Sequence, residues 1–292
     1  MNYYLDTPTL SIEVTETGIE LCSIKSKASG KEYMWQADPE IWGSHAPVLF
    51  PIIGALKNGS TFYNSEEYKI PKHGLVRHSN KVRLIEQTED TLKFRLKWDE
   101  ESLKIYPFKF ELEVSYSIIG STIQVTHFIT NHGENTMLYS VGGHPAFNCP
   151  FHEGESYEDY FLAFEEPETD HTWLLDSKGL TTGETKPILE NTRELPLHKN
   201  LFNNDALIFK NLSSRKVSLK SRKSGEVLSV HINDFDYLGI WAKPNAPFVC
   251  IEPWLGITDS ANSNQNIETK EGLLTLEPHQ SEWKTYSINI AL

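Results

Sequence analysis

Apolar and polar residues alternate with a period of two along much of the chain. Between residues 108 and 118 every even-numbered position is apolar and every odd-numbered one is polar, and residues 92–98 repeat the pattern. Shorter segments do the same at residues 10–14, 123–125, 217–219 and 228–232. Because successive side chains of a strand point to opposite faces, each segment is predicted to be a strand with one buried face.

Turns that contain glycine separate these segments, at Ser29-Gly30, Asn58-Gly59, Ile119-Gly120, His132-Gly133 and Ser224-Gly225. Helical turns are expected only around residues 38–42 and 100–106. Many alternating strands with hairpin-like turns predict an all-β chain, either a barrel or, as we expect, a large antiparallel β-sandwich with few short helices. No tandem repeat or Pro/Ser-rich linker divides the chain, so residues 1–292 are expected to form a single domain.

The balance of charge narrows the kinds of partner. The 292 residues include 40 acidic and 27 basic side chains, which gives a formal net charge of −13. Such a charge disfavours nucleic acid and anionic membrane surfaces as partners. A small anionic substrate stays open, because a local cluster of basic residues can override the global field.

The cysteines and the hydropathy of the chain indicate a cytoplasmic protein. Cys22, Cys149 and Cys250 are isolated and odd in number, which argues against a disulfide framework or a structural zinc site. The first ten residues lack the basic and apolar regions of a signal peptide. The sequence contains no run of 18 apolar residues, so no transmembrane helix is expected.

The segment V-G-G-H-P-A-F at residues 141–147 is the strongest local irregularity. An apolar stretch ends at two glycines, which permit a sharp turn or a close approach of the backbone to a ligand. Pro145 then biases His144 toward extended geometry. The segment would hold one imidazole rigidly at the end of a strand, as a catalytic histidine requires, although an ordinary tight turn would use the same residues.

A second candidate is Glu252, in the apolar segment F-V-C-I-E-P-W at residues 248–254. In a strand, Cys250 and Glu252 point to the same side. A buried carboxylate is costly unless it is paired, and desolvation raises its pKa toward the range of a general base. A structural ion pair or a solvent-facing position at a sheet edge would explain the residue equally well.

Two further segments contain polar residues that suit a sugar. The segment K-H-G-L-V-R-H at residues 72–78 brings His73 and Arg77 into one turn. These side chains could bind sugar hydroxyls or a phosphate, or they could form a solvated basic loop. Asp205 begins an apolar strand, a position that is also typical of a turn residue.

The motifs of several other chemistries are absent from the sequence. The chain has no H-x-H or H-E-x-x-H metal motif, no Walker loop and no G-x-S-x-G elbow. His127 and His132 flank the turn at Gly133 and are expected to face solvent.

Five segments resemble, in order, those of the aldose 1-epimerase (galactose mutarotase-like) family. The string G-H-P-A-F-N at residues 143–148 resembles the segment with the family's catalytic His, and I-E-P-W at 251–254 resembles the strand with its catalytic Glu. The strings at residues 73–77, 205–209 and 50–54 resemble the family's H-G-F-x-R, D-x-L-[IV]-F and F-P-x-x-G segments. The resemblance spans essentially the whole chain and is strongest to the LacX-type bacterial branch.

This resemblance implies a galactose mutarotase-like supersandwich that interconverts the α and β anomers of a hexose through ring opening. His144 would be the general acid and Glu252 the general base, without a metal or a redox cofactor. For His144 to be protonated near neutral pH, Asp205 or Glu252 would have to raise its pKa. His73, Arg77 and Asp205 would bind the sugar, and Trp254 would stack on its ring.

One departure from the family pattern leaves the identity of the sugar open. Ala55 stands where family members usually have Arg, so this contact is either missing or supplied by Lys57 or Arg77. A hexose-6-phosphate 1-epimerase is therefore an alternative. A glycosidase would need two carboxylates that flank the bond, and a non-catalytic carbohydrate-binding protein would not need both His144 and Glu252. The chain is expected to be a monomer or a homodimer.

Overall fold

The computed structural model describes all 292 residues, of which 51% lie in strands and 5% in helices, so the predicted all-β class is confirmed. In chain order the strands are β1 (Asn2–Asp6), β2 (Leu10–Thr15), β3 (Glu20–Ser26), β4 (Val48–Leu49), β5 (Ser60–Tyr63), β6 (Glu66–Lys69), β7 (Arg83–Gln87), β8 (Thr91–Lys97), β9 (Phe110–Ile119), β10 (Thr122–Asn131), β11 (Met137–Tyr139), β12 (Val141–Gly143), β13 (Ala146–Asn148), β14 (Tyr160–Leu175), β15 (Thr181–Pro196), β16 (Leu207–Phe209), β17 (Lys216–Ser221), β18 (Gly225–His231), β19 (Tyr237–Trp241), β20 (Phe248–Leu255), β21 (Leu274–Leu276) and β22 (Ser281–Ile290).

Helical structure is confined to short pieces, as the sequence predicts. The one α-helix, α1, spans Glu100–Leu103, where Asp99 caps the N-terminus by accepting a hydrogen bond from the backbone N–H of Ser102. Single 3₁₀ turns span Thr17–Ile19, Lys57–Gly59, Tyr157–Asp159 and Ile267–Thr269. The expected turn near residue 40 is one helical turn, in which the N–H of Trp42 donates to the carbonyl of Asp38 at 2.8 Å.

Two large antiparallel sheets dominate the architecture. The first has nine strands in the order β15-β14-β17-β18-β22-β10-β9-β8-β7. The second has the order β16-β19-β20-β12-β4, and β13 also pairs with β20. Smaller sheets are β1-β2-β3, β5-β6 and β11-β21. The expected antiparallel sandwich is confirmed.

Alternation of apolar residues places the core between the sheets. In β9 and β10 buried and partly exposed positions alternate along both strands, as the period-two pattern predicts. Tyr286 of β22, in the nine-stranded sheet, reaches Gly143 of β12 in the other sheet. One cluster of 68 buried apolar residues extends from Leu5 to Ile290, which supports the proposal of a single domain.

The expectation that His127 faces solvent is wrong. His127 is fully buried on the inner face of β10, with its ring near those of Phe235 and Tyr286. It continues the buried series of Val125 and Ile129, so the alternation along the strand outweighs the polarity of the side chain. His132 is exposed beside the turn, as expected, with Nε2 3.5 Å from a Glu111 oxygen.

The three cysteines are unpaired and buried. No helix in the structure has the length and apolar character needed to cross a membrane.

Candidate active site

A pocket of about 340 Å³ brings together residues from distant parts of the sequence. Its lining includes six of the seven residues that the sequence predicted for the site: His73, Arg77, His144, Asp205, Glu252 and Trp254. A volume of this size is typical of a site for a small ligand. The pocket is therefore the candidate active site.

His144 lies in the link between two short strands that both pair with β20. Strand β12 ends just before His144, and β13 begins just after Pro145. The backbone N–H of His144 donates to the carbonyl of Pro47 at 3.1 Å, and the N–H of Ile251 donates to the carbonyl of Pro145 at 3.2 Å. These bonds fix the backbone of the histidine on both sides, as the sequence predicted for a rigidly held imidazole.

The two glycines before His144 permit close packing rather than a left-handed turn. A Cβ atom on Gly142 would lie 2.7 Å from the carbonyl oxygen of Pro253, and one on Gly143 would lie 2.7 Å from the hydroxyl of Tyr286. Real Cβ atoms do not approach other atoms so closely. Glycine at both positions therefore lets the strand that leads to His144 lie between β20 and the opposite sheet.

Glu252 lies in the middle of β20, a strand whose residues are all buried. Its Oε2 atom is 3.3 Å from Nε2 of His144. Cys250 and Glu252 face the same side of the strand, as predicted. The Cys250 sulfur and a Glu252 carboxylate oxygen each lie within 4.8 Å of a ring nitrogen of His144. Glu252 is the only acidic residue of β20, and it contacts His144, the residue that the sequence predicted as its catalytic partner.

Burial controls the proton affinity of this pair. It raises the pKa of Glu252 well above its usual range, with the Trp254 indole and the Lys72 ammonium acting in the opposite direction. Burial also lowers the pKa of His144, and the positive charges of Arg77 and Lys72 lower it further. The expectation that a carboxylate raises the pKa of His144 is therefore wrong, since desolvation is the larger effect. The uncharged forms of both groups are favoured.

Aromatic rings hold the imidazole of His144 in place. The indole of Trp42 stacks on it, with centroids 5.0 Å apart and an angle of 27° between the planes. The rings of Trp241 and His73 pack edge-on against it, with their centroids 5.8 and 5.7 Å from the centroid of the imidazole. Its Nδ1 atom is buried without a hydrogen-bond partner, so the ring is held by this stacking together with the Glu252 contact at Nε2. Neither tryptophan was predicted from the sequence, because only tertiary packing brings Trp42 and Trp241 to the pocket.

His73 is locked against the backbone of Gly54 by a reciprocal pair of hydrogen bonds. Its N–H donates to the carbonyl of Gly54 at 2.8 Å, and its Nδ1 accepts from the N–H of Gly54 at 3.2 Å. Burial, together with the positive charge around it, lowers the pKa of His73 well below its usual range. A neutral imidazole that accepts at Nδ1 has its proton on Nε2, which leaves a single N–H donor.

The other predicted binding residues differ in how firmly they are held. Arg77 is half-buried and donates from Nη2 to the hydroxyl of Ser44 at 3.0 Å. Asp205 is exposed at the rim, while the indole of Trp254 is buried in the wall. Lys72 also lines the pocket. It directly precedes His73, so the sequence had placed it in a basic segment without giving it a role in the site.

Lys57 lies outside the pocket, contrary to its predicted role. Its Nζ donates to the carbonyl of Ser263 at 2.7 Å. Ala55, at the position of the family's Arg, lines a neighbouring cavity that it shares with Lys72. Of the two proposed substitutes for that Arg, only Arg77 reaches the pocket.

Comparisons with known proteins identify the family of the chain. The family model described as aldose 1-epimerase matches residues 1–289. The plasmid-encoded protein LacX of Lactococcus lactis subsp. lactis is 40% identical, with 99% of each chain covered. A galactose mutarotase related enzyme from Lactobacillus acidophilus is 34% identical, with 100% of this chain and 98% of that one covered and a TM-score of 0.94. A galactose mutarotase-like protein from Lactobacillus casei is 27% identical over the full length of both chains, with a TM-score of 0.93. The chain therefore belongs to the aldose 1-epimerase family.

Proposed function

We propose that this protein interconverts the α and β anomers of a hexose by general acid–base catalysis. The observation that supports this most directly is the 3.3 Å contact between His144 Nε2 and Glu252 Oε2, both buried at a pocket lined with polar and aromatic groups. Membership of the aldose 1-epimerase family supports the same reaction class. A cytoplasmic location is part of the proposal, since free cysteines suit a reducing compartment.

The proposed reaction needs one proton removed and one delivered. Glu252 accepts the proton of the C1 hydroxyl while His144 protonates the ring oxygen, so the ring opens to the aldehyde. Rotation about the C1–C2 bond presents the other carbonyl face, and closure regenerates the ring with the two groups in exchanged roles. Each positioned acid or base typically contributes about 10²- to 10⁴-fold in rate.

The close contact explains how a pair that rests uncharged can react as a charged one. With a protonated carboxyl and a neutral imidazole, the pair holds the one proton that it needs. Transfer of this proton from Glu252 to His144 gives the carboxylate and the imidazolium without exchange with solvent. The Lys72 ammonium favours the carboxylate, and the face of the Trp42 indole favours the imidazolium by about 0.5–2 kcal/mol.

The remaining lining residues suit the binding of a sugar. His73 offers an N–H donor, Arg77 a guanidinium and Asp205 a carboxylate, which together can bind several hydroxyls. Trp42 and Trp254 provide aromatic surfaces of the kind on which the apolar face of a pyranose packs.

A hexose 6-phosphate is a second candidate substrate, because two cations line the pocket. Lys72 is exposed there, and Arg77 donates to a hydroxyl rather than to a carboxylate. Arg and Lys are the usual partners of phosphate groups.

The catalytic assignment is tested by polarimetry of freshly dissolved α-glucose and α-galactose. We expect His144→Asn and Glu252→Gln each to reduce anomerisation to nearly the buffer rate, because each removes one of two proton-transfer groups. The combined loss should be far smaller than the product of the single losses, since groups that act as a unit are not additive.

A matched pair elsewhere in the chain provides the control. His279 Nε2 and Glu134 Oε2 are also 3.3 Å apart, but both side chains are exposed. His279→Asn and Glu134→Gln should keep the wild-type rate. A near wild-type rate in either folded active-site variant would contradict the role of that residue. Buffer-level anomerisation by the wild type would instead favour a carbohydrate-binding protein, and hydrolysis of an aryl glycoside would favour a glycosidase.

A further inference from the structure

A third side chain, the thiol of Cys250, lies beside the proposed catalytic pair. Ligand atoms of His144, Cys250 and Glu252 all lie within 4.8 Å of one another. The three residues are 8%, 0% and 1% exposed. Cys250 does not line the sugar pocket and has no part in the proposed anomerisation. The cluster therefore contains one donor more than the reaction needs.

Two polar atoms of this cluster are buried without a hydrogen-bond partner. They are Oε2 of Glu252 and Nδ1 of His144. More than about 90% of buried polar groups in proteins are hydrogen-bonded, and an exception often marks a catalytic group or an ion site. Free cysteines are often buried as small apolar residues. Here, however, the thiol lies within 4.8 Å of an imidazole nitrogen and of a carboxylate oxygen, which is the combination of donors that borderline-soft metal ions select.

We propose that His144, Cys250 and Glu252 form a binding site for a thiophilic divalent cation such as Zn²⁺, and that the bound cation inhibits the enzyme. The inhibition rests on the proposed function, whereas the binding does not. Zn²⁺ takes sulfur, nitrogen and oxygen ligands at about 2.0–2.3 Å, which sets tetrahedral ligand atoms roughly 3.3–3.8 Å apart. From the observed limit of 4.8 Å, the ligand atoms would have to approach one another by about 1–1.5 Å to reach this geometry. The cluster supplies three of the four ligands of a tetrahedral site.

Binding exchanges protons for the metal with charges in balance. The Cys250 thiol and the Glu252 carboxyl each release one proton, and the resulting thiolate and carboxylate neutralise the two charges of the ion. His144 binds as the neutral imidazole through a ring nitrogen. Because the ion occupies the lone pairs of the proposed acid and base, neither group can exchange a proton with a sugar. No redox change or co-reactant is involved.

Direct binding is measured with Cd²⁺, whose thiolate complexes absorb in the ultraviolet, and with Zn²⁺ by calorimetry. The wild type should bind one ion and develop the thiolate band, and Mg²⁺ should give neither signal. In Cys250→Ser the band should disappear and Zn²⁺ should bind at least tenfold more weakly. Cys149→Ser is the matched control, because Cys149 is equally buried and unpaired.

A second variant keeps the test decisive if Cys250→Ser does not fold. The double variant Cys22→Ser/Cys149→Ser leaves Cys250 as the only thiol, and the band and the affinity should persist in it. Loss of the band from this folded double variant, or undiminished Zn²⁺ affinity in folded Cys250→Ser, would overturn the proposal. So would the absence of a Cd²⁺ thiolate band from the wild type.

The effect on activity is measured separately by polarimetry. Zn²⁺ should inhibit the wild type and Cys149→Ser, and a chelator should restore the rate. Cys250→Ser should anomerise at the same rate with and without the Zn²⁺ concentration that inhibits the wild type. Metal binding by a protein without anomerase activity would contradict the proposed function and leave the site intact. Activity without metal binding would contradict the site alone.

Discussion

At the scale of single residues, the pocket contains a group whose burial destabilises the fold at neutral pH. Glu252 is 1% exposed, and its pKa is raised well above the usual range by desolvation. Below the ordinary pKa of a carboxyl, the folded and unfolded states both hold the proton. As the pH rises above that value, the unfolded chain releases the proton and the folded chain keeps it. Stability is therefore lost until the pH passes the raised pKa.

Glu252→Gln should consequently raise stability while it removes activity. The amide has nearly the shape of the protonated carboxyl and does not ionise in the unfolded state. We expect a gain at pH 7 whose size follows the difference in the pKa of Glu252 between the folded and unfolded states, at about 1.4 kcal/mol per pKa unit. Thermal and denaturant unfolding at pH 4 and pH 7 measure it, and the gain should shrink at pH 4.

The control for this prediction is Glu134→Gln, at an exposed carboxyl. Its effect should stay within about 0.5 kcal/mol, as is usual for surface substitutions. A Glu252→Gln protein that is less stable than the wild type at pH 7, or equally stabilised at both pH values, would contradict the desolvation argument.

The sequence predicted some of these residues and missed others for identifiable reasons. His144 and Glu252 interrupt apolar segments, and a polar residue that interrupts such a segment is visible in one dimension. Trp42 reaches the pocket from a separate turn, so its stacking on His144 depends on the packing of distant segments. Lys57 was wrongly predicted because the direction of a flexible side chain is set by its bond to the Ser263 carbonyl.

At the scale of elements, the position of His144 depends on how closely β12 approaches the opposite sheet. A Cβ on Gly143 would lie 2.7 Å from the Tyr286 hydroxyl and 2.9 Å from two of its ring carbons. Gly143→Ala should therefore cost about 1–3 kcal/mol of stability, as overpacking usually does. Because the displaced strand precedes His144 directly, anomerisation should fall by up to about 100-fold. Unfolding curves and polarimetry measure the two effects.

A double-mutant cycle identifies the contact responsible. Tyr286→Phe removes the nearest atom, so it should restore part of the stability and rate lost in Gly143→Ala, with a coupling outside simple additivity. Gly43→Ala is the control, because the nearest atom to its Cβ would be Cα of Pro39 at 3.7 Å, an ordinary contact. Strictly additive effects of the two substitutions would contradict the proposed packing constraint.

The strands that follow a clean alternation were predictable, and the irregular ones were not. Residues 92–98 and 108–118 correspond closely to β8 and β9. The two longest strands, β14 and β15, were not predicted, because their pairing contains several register shifts. Glu168 and Asp170 of β14 are buried and accept hydrogen bonds from backbone N–H groups, which interrupts the apolar pattern. A period of two also indicates which face is buried but not which strand is the partner, so the junction of β12, β13 and β20 required the fold.

At the scale of the whole molecule, charge acts on the substrate in two opposing ways. The net charge of −13 repels an anionic sugar at long range, but salt screens this effect over about 8 Å at physiological ionic strength. Inside the pocket, the binding of an anionic sugar depends on the nearby cations. Of the two cations that the sequence offered in place of the family's Arg, Lys57 lies outside the pocket and donates to the Ser263 carbonyl, and Arg77 is engaged by the Ser44 hydroxyl. Lys72 is the further cation that lines the pocket.

We therefore expect glucose or galactose to be anomerised with a kcat/KM at least equal to that for glucose 6-phosphate. Polarimetry with the three sugars at 0.15 M salt, about physiological ionic strength, decides this, and a tenfold preference for the phosphorylated sugar would establish the alternative substrate. Arg77→Ala removes a charge-assisted hydrogen bond worth about 1.5–3 kcal/mol, or roughly ten- to a hundredfold. Similar losses for neutral and phosphorylated sugars would assign Arg77 to a hydroxyl, whereas a loss confined to glucose 6-phosphate would assign it to the phosphate. Lys57→Ala should change neither rate, because Lys57 lies outside the pocket.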